Sequence, residues 1–533
     1  MNTHPPTADS ASAGYPDAIL RVLSESPDRE VLIASDGRRI TARTLRDDTY
    51  RLARALHQRG VGRGVSVALL TGNTPEAVQA RYAITLAGAR LVSLYETTDP
   101  AALAAFLDGA GCALLLVDLT RTDTARALLP LIERTTVCGL GTDELGEDLL
   151  ARATEHPPGP FAAAVRPEED WSVVSTGGTT GGSRGVRIAH AAYSAMLAVP
   201  VPGLGDPPRL LVCTGFVSST GALTDLTLLQ GGTVVLQPSF DPRELLAAIE
   251  QERVTVMWLP PPLLRRLLDE PSLPTTDVSS LARIMYGGCA ASASLLRRAI
   301  KVFGPIFQGC YGQTEAGPIS SLLPHEHESD LADRDGAVSV GRPMPGVEVS
   351  VRDRNGEPLE PGQEGEIWVR SAVVMSGYWK RDGLTREVLR PDGWLRTGDL
   401  GRFDEQGKLS VLDRLTDTLF VSGGDRLVRV HPADLEELLA AHPSISECAV
   451  FGASGADLRE EIHVAVVPTP GSRVELEEVG AFLTEQKGAH CAPAALHTLT
   501  SLPLTPRGKP DKRALRNSLG LATSRQPDHS ATG

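Results

Sequence analysis

The sequence contains few cysteines and no paired cysteine motif. Seven cysteines are scattered singly through 533 residues, their number is odd, and no Cys-x-x-Cys pair occurs. Disulfide frameworks and zinc sites are built from clustered or evenly numbered cysteines. The sequence therefore gives no support for either, and its cysteine usage favours a reducing, cytoplasmic location.

Long apolar runs and an excess of positive charge are also missing. The longest apolar runs, such as GCALLLVDL at 111–119, are far shorter than the ~20 residues that a membrane span needs. The N-terminal stretch MNTHPPTADSASAGYP has no basic start followed by an apolar core. With 66 acidic against 52 basic side chains, the net charge is -14, which disfavours nucleic acid and anionic lipid. We expect no export, no membrane insertion, no nucleic-acid partner and a small-molecule ligand.

Apolar runs of strand length alternate with helical patterns over most of the chain. VSVALL at 65–70 is followed by TPEAVQARYAITLAGA at 74–89 and then by RLVSLY at 90–95. This alternation predicts parallel sheets covered by helices. From about residue 338 the pattern changes to paired strands, as in EVSVRDRNGEPLEPGQEGEIWVR at 348–370. The expected fold class is α/β, with a large N-terminal domain of mostly parallel sheets, a small antiparallel region and a small C-terminal α+β domain.

Composition places the domain boundary near Asp413 to Asp417 and leaves polar tails at both ends. The expected organisation is a disordered tail at 1–15, an N-terminal domain at 16–413, a short connecting segment at 414–417, a C-terminal domain at 418–520 and a second disordered tail at 521–533.

One stretch combines glycines and hydroxyl side chains after a predicted strand. STGGTTGGSRGV at 175–186 follows WSVVS. Successive glycines let backbone N–H groups point into one concavity, and threonine hydroxyls add donors, so the stretch suits phosphate oxygens. It lacks the residue order of a Walker A loop. The alternative is a flexible surface loop.

Three further motifs carry candidate residues, each with a structural alternative. YGQTEAG at 311–317 offers Tyr311 to stack on a nucleobase and Glu315 to bind Mg²⁺, or it is a turn with a capping threonine. RTGDL at 396–400 places Asp399 where a carboxylate could accept both ribose hydroxyls, or it is a structural turn. LPLTPRGKPDKRALR at 502–516 contains Lys509, which either stabilises an anionic transition state or is a solvated surface cation.

The order of these motifs is more informative than any one of them. The phosphate loop, YGQTEAG, RTGDL, DRLTD at 413–417 and TPRGK follow one another along the chain. In this the sequence resembles the adenylate-forming enzymes, which include acyl-CoA ligases, adenylation domains of peptide synthetases, luciferase and amide-forming ligases. The resemblance covers about residues 30–516. It implies that ATP and Mg²⁺ activate a carboxylic acid as an acyl-adenylate with release of pyrophosphate, and that the acyl group then passes to a nucleophile.

The resemblance also implies a role for each matching residue. The β- and γ-phosphates would be bound by Thr176, Gly178, Thr179, Thr180 and Gly181, with Arg184 in place of the family's lysine. The adenine edge and the acid pocket would be lined by Gly288, Cys289, Ala290 and Gly312. Further contacts would come from Tyr311 to adenine, Thr314 to the α-phosphate, Glu315 to Mg²⁺, and Asp399 and Arg414 to the ribose. The catalytic residues would be Lys509, Thr180 and Glu315, and residues 414–417 would form the hinge of a mobile C-terminal lid.

Several positions depart from the family pattern. Ser218 replaces the histidine or aromatic gate of many CoA ligases, and Ser219 replaces the aspartate of amino-acid-activating relatives, which disfavours an α-amino acid substrate. Thr416, an uncharged residue, occupies the hinge position. The segment SGGDRLVRVHPADLEE at 422–437 is longer than usual in the family, and this argues against a thiol acceptor. Asp225 lies on the helical face expected toward the acid pocket. It is either a general base for an amine acceptor or a carboxylate held by local pairing.

The leading interpretation is an AMP-forming ligase that passes a carboxylic acid to a thiol, either CoA or carrier-protein pantetheine, in acid catabolism or secondary metabolism such as antibiotic biosynthesis. The alternatives are a ligase that forms amides, an ATP-dependent diazotase, and a non-catalytic member of the family that binds nucleotide. A cytoplasmic location is expected for each.

The two cations of the predicted site should respond differently to exchange. Arg184→Lys keeps a positive charge beside the phosphates, so the adenylation rate should fall only mildly. Lys509→Arg changes the geometry of a transition-state contact, so the rate should fall by about 100-fold or more. Acid-dependent pyrophosphate exchange measures both variants. Equal losses would contradict this division of roles.

Overall fold

The computed structural model describes most of the chain. The described residues are 14–94, 99–176, 184–201, 203–217, 219–332, 339–415, 417–422, 427–440, 442–454, 460–504 and 510–521. Among them, no helix combines the length and the apolar character that crossing a membrane requires.

The helices of the first half are α1 (Tyr15–Glu25), α2 (Ala42–Gln58), α3 (Pro75–Leu86), α4 (Pro100–Ala110), α5 (Thr122–Leu128), α6 (Leu149–Ala153), α7 (His190–Leu197), α8 (Ser219–Leu229) and α9 (Pro242–Glu252). Those that follow are α10 (Pro261–Leu268), α11 (Ala293–Phe303), α12 (His327–Ala332), α13 (Asp382–Val388), α14 (Pro432–Ala440), α15 (Leu476–Lys487) and α16 (Lys512–Ser518).

The strands up to residue 260 are β1 (Glu30–Ala34), β2 (Arg39–Thr41), β3 (Ser66–Leu70), β4 (Arg90–Ser93), β5 (Cys112–Asp118), β6 (Thr136–Leu140), β7 (Asp170–Thr176), β8 (Arg184–Ala189), β9 (Arg209–Val212), β10 (Thr233–Leu236) and β11 (Val256–Trp258). The remaining strands are β12 (Arg283–Gly287), β13 (Phe307–Gln313), β14 (Gly317–Leu322), β15 (Arg342–Pro343), β16 (Glu348–Arg352), β17 (Gly365–Arg370), β18 (Gly377–Tyr378), β19 (Leu395–Phe403), β20 (Leu409–Arg414), β21 (Leu419–Ser422), β22 (Leu427–Val430), β23 (Ile445–Ser454), β24 (Glu460–Pro468) and β25 (Ala495–Thr498).

Some of the helices that follow strands begin at side-chain caps. Thr74 accepts a hydrogen bond from the backbone N–H of Ala77 at the start of α3, which has proline in its first turn. Asp241 caps α9 in the same way, again next to a proline. A cap satisfies one of the free N–H groups of the first turn, and proline there loses no helical hydrogen bond. Local sequence therefore fixes where these helices start.

The larger sheet has nine strands in the order β15-β14-β13-β12-β11-β9-β10-β1-β2. Its six central strands, from β13 to β1, run parallel. The outer strands β14, β15 and β2 pair antiparallel. Because parallel strands share one direction, the carboxyl ends of β9, β12 and β13 meet at a single edge of the sheet.

The second sheet has seven strands in the order β18-β8-β7-β4-β3-β5-β6. Strands β7, β4, β3, β5 and β6 run parallel. Strand β8 returns antiparallel to β7, and the short strand β18 pairs antiparallel with β8. The segment between Thr176 and Arg184 therefore connects two neighbouring antiparallel strands.

Three smaller sheets follow. Strands β16, β17, β19 and β20 form an antiparallel sheet, β21 pairs with β22, and β23, β24 and β25 form a third sheet. The strand β20 ends at Arg414, and β21 begins at Leu419 in another sheet. The predicted α/β class, with parallel sheets first and smaller sheets after them, is confirmed. The domain boundaries stay a prediction.

The tail predicted at the N-terminus extends one residue too far. Tyr15 begins α1 and is only 6% exposed, because its ring packs edge-on against the aromatic rings of Tyr82, Trp171 and Tyr193. Aromatic side chains bury a large apolar area, so one tyrosine is enough to hold the chain here.

The C-terminal part has apolar clusters of its own. One cluster joins strands β21 to β24 with helices α14 and α15, and includes Leu435, Val464 and Leu483. A second joins Phe451 of β23 to Leu515 of α16. Both consist of residues beyond 418, so this part of the chain is stabilised by its own burial of apolar surface.

A buried ion pair lies among helices α3, α7 and α8. The two guanidinium nitrogens of Arg81 lie 3.1 Å from the two carboxylate oxygens of Asp225. The Tyr82 hydroxyl donates to Asp225 Oδ1 at 2.7 Å, and the Tyr193 hydroxyl donates to Oδ2 at 2.5 Å. Asp225 has no exposed surface. A fully buried carboxylate is tolerable only with such partners.

This geometry contradicts the interpretation of Asp225 as a general base. Both oxygens of the Asp225 carboxylate already accept two hydrogen bonds from buried partners. A base must reach the proton that it abstracts, and a carboxylate with no exposed surface cannot reach an incoming amine. Pairing, the alternative that the sequence left open, explains the residue.

Removing the charge of Asp225 should destabilise the protein strongly. Asp225→Asn leaves the guanidinium of Arg81 buried without its counter-charge, which costs about 3–5 kcal/mol. Urea unfolding followed by tryptophan fluorescence measures the change. The control is Glu348→Gln, which breaks the exposed pair with Arg370 and should leave the free energy of unfolding close to that of the wild type. Similar losses in the two variants would contradict the importance of the buried pair.

Candidate active site

The predicted phosphate loop connects strands β7 and β8. Thr176, the last residue of β7, pairs with Arg184, the first residue of β8. The Thr176 hydroxyl donates to the Arg184 carbonyl oxygen at 3.3 Å. The two ends of the loop are therefore held opposite each other. The predicted phosphate ligands between them, Gly178, Thr179, Thr180 and Gly181, lie outside the described residues.

Tyr378 links this loop to Glu315. Tyr378 lies on β18 and pairs with Val186 of β8, two residues beyond Arg184. The Tyr378 hydroxyl donates to Glu315 Oε1 at 3.1 Å, and the guanidinium carbon of Arg184 lies 5.7 Å from the centre of its ring. Burial and the neighbouring Glu315 carboxylate raise the pKa of Tyr378 to about 12, so the phenol stays a donor at neutral pH.

Sequence reasoning did not single out Tyr378. The available signal was an aromatic residue next to glycine in SGYWK at 376–380, the same combination that drew attention to Tyr311 in YGQTEAG. What a sequence cannot supply is the partner, because β18 has only two residues and pairs with a strand almost two hundred positions earlier.

The predicted ribose residue, Asp399, is held by two other predicted site residues. The Tyr311 hydroxyl donates to Asp399 Oδ2 at 2.6 Å, and Arg414 Nε lies 3.0 Å from Oδ1. Asp399 and Arg414 are directly opposite on strands β19 and β20. Each carboxylate oxygen can accept a second hydrogen bond, so the ribose hydroxyls can still be bound. Burial and the charge of Asp399 raise the pKa of Tyr311 well above its usual value, so Tyr311 remains a neutral donor.

Arg414 interacts electrostatically both with Asp399, the predicted ribose residue, and with Glu315, the predicted Mg²⁺ ligand. The charge of Asp399 raises the pKa of Arg414 most, and the charges of Glu315 and Asp417 act in the same direction. The structure therefore brings Glu315, Asp399, Arg414 and Tyr311 into one charged cluster, as the resemblance implied. The roles of these residues toward a nucleotide stay predictions.

The remaining candidates lie at the edge where parallel strands end. Gly288, Cys289 and Ala290 follow β12, Ser219 starts the helix after β9, and Gly312 and Thr314 lie at the end of β13. Ligands in open α/β sheets bind at this edge. A Cβ on Gly312 would lie 2.4 Å from the carbonyl oxygen of Gly317, so only glycine fits there. Ser218, Thr416 and Lys509 lie outside the described residues.

The donor set around Glu315 fits Mg²⁺ held jointly with a nucleotide. Among the described residues, no group of three or more His, Cys, Asp and Glu side chains is placed to hold a metal ion. Mg²⁺ is usually bound by one or two carboxylates together with substrate phosphates and water. A single carboxylate beside a phosphate loop matches that pattern.

Candidate site residues at the edge of a parallel sheet, followed by smaller sheets and helices, match the class of adenylate-forming enzymes. The chain belongs to the AMP-binding enzyme family, because the family model for AMP-binding enzymes matches residues 20–379 and the model for their C-terminal domain matches residues 434–509.

Relatives with different activities align with nearly the whole chain. A medium/long-chain-fatty-acid–CoA ligase of Mycobacterium tuberculosis is 33% identical, with 93% of this chain and 89% of that protein covered. A feruloyl-CoA synthase of Amycolatopsis is 32% identical, with 91% and 95% covered. The solved amide bond synthetase McbA from Marinactinospora thermotolerans is 34% identical, with a TM-score of 0.84 and 94% and 99% covered. The family therefore includes relatives that act on thiols and one that forms amides.

Removing the Tyr311 hydroxyl should weaken ATP binding through the ribose. Tyr311→Phe keeps the ring but takes a donor from Asp399, and a hydrogen bond to a charged group contributes about 1.5–3 kcal/mol. We expect the KM for ATP to rise about tenfold in pyrophosphate exchange. The control substrate is 2′,3′-dideoxy-ATP, which lacks the hydroxyls. An equal rise with both nucleotides would contradict the ribose role of Asp399.

Proposed function

We propose that this protein is an ATP- and Mg²⁺-dependent carboxylic acid ligase that forms an acyl-adenylate and transfers the acyl group to a thiol. The observation that carries the proposal is the Asp399 carboxylate, held by the Tyr311 hydroxyl and by Arg414, whose pKa is also raised by the charge of Glu315. The fatty-acid–CoA ligase and the feruloyl-CoA synthase among the relatives support CoA or carrier-bound pantetheine as the acceptor.

Each residue of the site has a task in the first half-reaction. The β7–β8 hairpin and Arg184 bind the β- and γ-phosphates, and Asp399 accepts hydrogen bonds from the ribose. Glu315 would hold Mg²⁺, which when bound supplies positive charge to the phosphate oxygens. A substrate carboxylate oxygen attacks the α-phosphorus as the bond to the pyrophosphate oxygen breaks. Lys509 contacts both the substrate carboxylate and the ribose end of the nucleotide, and so aligns the attacking carboxylate oxygen with the α-phosphorus.

In the second half-reaction the acceptor replaces AMP. The thiol loses its proton, its sulfur attacks the acyl carbon, and the bond to the AMP oxygen breaks. Arg414 is the last residue of β20 and the first residue of the proposed hinge at 414–417, so rotation there can remove Lys509 and open the acyl carbon to the thiol.

A second candidate function is transfer to an amine. The 34% identity to the amide bond synthetase McbA over 94% of the chain favours it. The buried pairing of Asp225 means that the amine would have to lose its proton to another group or to water. Carboxylic acids other than α-amino acids are the proposed substrates in either case, because Ser219 at the start of α8 has no charge to bind an α-amino group.

The acceptor can be identified by a product assay. Purified protein, ATP, Mg²⁺ and a panel of aromatic and aliphatic acids are incubated with CoA in one series and with amines in another. We expect acid-dependent pyrophosphate release in both series and an acyl thioester with CoA. Lys509→Ala is the inactive control, with adenylation lowered about 100-fold or more. Amide formation without any thioester would overturn the thiol acceptor, and unchanged exchange in Lys509→Ala would overturn the mechanism.

The cytoplasmic location and a place in antibiotic biosynthesis belong to this proposal as well. The first is supported by the scattered cysteines. A fatty acid–[acyl-carrier-protein] ligase of Streptomyces coeruleorubidus, 29% identical over 91% of the chain, supports a carrier protein as a source of the thiol.

A further inference from the structure

We infer that Tyr378 is a positioning residue, which orients the carboxylate of Glu315 for Mg²⁺. The inference rests on the proposed function, because that function makes Glu315 the residue that would hold the metal. Tyr378 acts through this carboxylate and not on the nucleotide. It lies outside the motifs from which the site was predicted, so it adds a residue to the reaction.

Glu315 is held at both ends by one short segment of the chain. The Tyr378 hydroxyl donates to Glu315 Oε1 at 3.1 Å. The backbone N–H of Met375 donates to the carbonyl oxygen of Glu315 at 2.9 Å. With its backbone and one carboxylate oxygen fixed, the glutamate side chain has little rotational freedom left. A metal ligand that is already ordered binds more tightly, because less conformational entropy is lost on binding.

The strand that carries Tyr378 is itself fixed by backbone contacts. Tyr378 pairs with Val186 of β8, and the backbone N–H of Trp379 donates to the carbonyl oxygen of Gly185 at 2.8 Å. The backbone N–H of Tyr378 donates to the Thr385 hydroxyl on α13 at 2.9 Å. The tyrosine therefore reaches Glu315 from a backbone that three separate contacts hold in place.

Side chains directly after β18 anchor this strand to helix α4. The indole N–H of Trp379 donates to the carbonyl oxygen of Gly109 at 3.0 Å, and Lys380 Nζ donates to the same oxygen at 3.1 Å. The guanidinium carbon of Arg90 lies 4.4 Å from the centre of the Trp379 ring. Successive side chains of an extended segment point to opposite faces, so this anchor fixes Tyr378 from the other face of the strand.

The backbone at the end of this segment is strained. Lys380 has a φ of 53°, in the left-handed region that favours glycine. Residues in this conformation persist only where the surrounding contacts hold them, and they are concentrated at functional sites. The contacts to Gly109 are contacts of this kind, and they keep the segment in the one arrangement that brings the Tyr378 hydroxyl to Glu315.

The ring of Tyr378 has a packing role that can be separated from the role of its hydroxyl. Tyr378 is 5% exposed, and its ring belongs to an apolar cluster with Val186, Ala316 and Ile319. Phenylalanine preserves this packing and lacks only the hydroxyl. Tyr378→Phe therefore tests the donor without removing the ring.

Removing the hydroxyl should weaken nucleotide binding only when Mg²⁺ is present. Calorimetric titration with α,β-methylene-ATP, an analogue that cannot release pyrophosphate, measures binding without turnover. In Tyr378→Phe we expect the Kd in Mg²⁺ to rise about tenfold, because loss of the group that orients a metal ligand costs about 10–100-fold in affinity. The Kd in EDTA should stay within about twofold of the wild type, because Tyr311, Asp399 and Arg414 are unchanged.

The matched control is Tyr286→Phe. It also removes a buried tyrosine hydroxyl, which lies 3.0 Å from His327 Nε2, and it should leave both Kd values within about twofold of the wild type. Thermal melting checks that each variant folds. If Tyr378→Phe does not fold, Trp379→Phe tests the same arrangement, because it removes the indole donor to Gly109 and should raise the Kd in Mg²⁺ alone by about threefold.

The partner of the hydroxyl is tested by a second substitution. In a Glu315→Ala background, Tyr378→Phe should change the Kd in Mg²⁺ by less than about twofold, because the two residues act through one contact. A further tenfold loss in that background would overturn the inference. A Kd of Tyr378→Phe that rises equally in Mg²⁺ and in EDTA, or in neither, would overturn it as well. Wild-type protein that does not bind the analogue at all would instead overturn the proposed function.

Discussion

The Asp399 carboxylate is the contact on which the candidate site depends. It is nearly buried, and a buried charge must be compensated by donors in fixed positions. One donor, Tyr311, comes from the nine-stranded sheet, and the other, Arg414, comes from the neighbouring strand of the four-stranded sheet. The carboxylate therefore fixes the relative position of two sheets as well as the ribose site. The Tyr378–Glu315 hydrogen bond does the same between the seven-stranded and nine-stranded sheets.

Local charge has to overcome the charge of the whole molecule. The chain carries a net charge of -14, which repels a polyanion such as ATP at long range. The site compensates for this repulsion with arginines that lie at the ends of strands. Arg184 begins β8, and Arg414 ends β20. A guanidinium placed by a strand keeps its position when the ligand is absent, so little order has to be gained on binding.

Much of the architecture and part of the site could be predicted from the sequence, because the signals are local. The alternation of VSVALL with the helix after it indicated the strand and helix order, and the glycines of YGQTEAG marked a tight turn beside the sheet edge. The turn expected at RTGDL was wrong, because these residues lie within β19 and Asp399 pairs with Arg414 across the sheet. For Asp225 the sequence offered two alternatives, a general base or a paired carboxylate, and could not decide between them. Helical periodicity tells which face a residue occupies, but its partner Arg81 lies 144 positions earlier. Tyr378 was missed for the same reason, since its strand has two residues and its partners are distant in the chain.

The separate apolar clusters of the C-terminal part have a consequence for evolution. A unit that buries its own core can be exchanged or altered without repacking the preceding sheets, since only the contacts between the two have to be rebuilt, such as the hydrogen bond from the Arg265 guanidinium to the carbonyl oxygen of Ser446. Recombination and drift can therefore act on the acceptor side while the machinery that activates the acid is inherited intact. This modularity offers a physical reason why CoA ligases and an amide bond synthetase are found at similar distances from one chain.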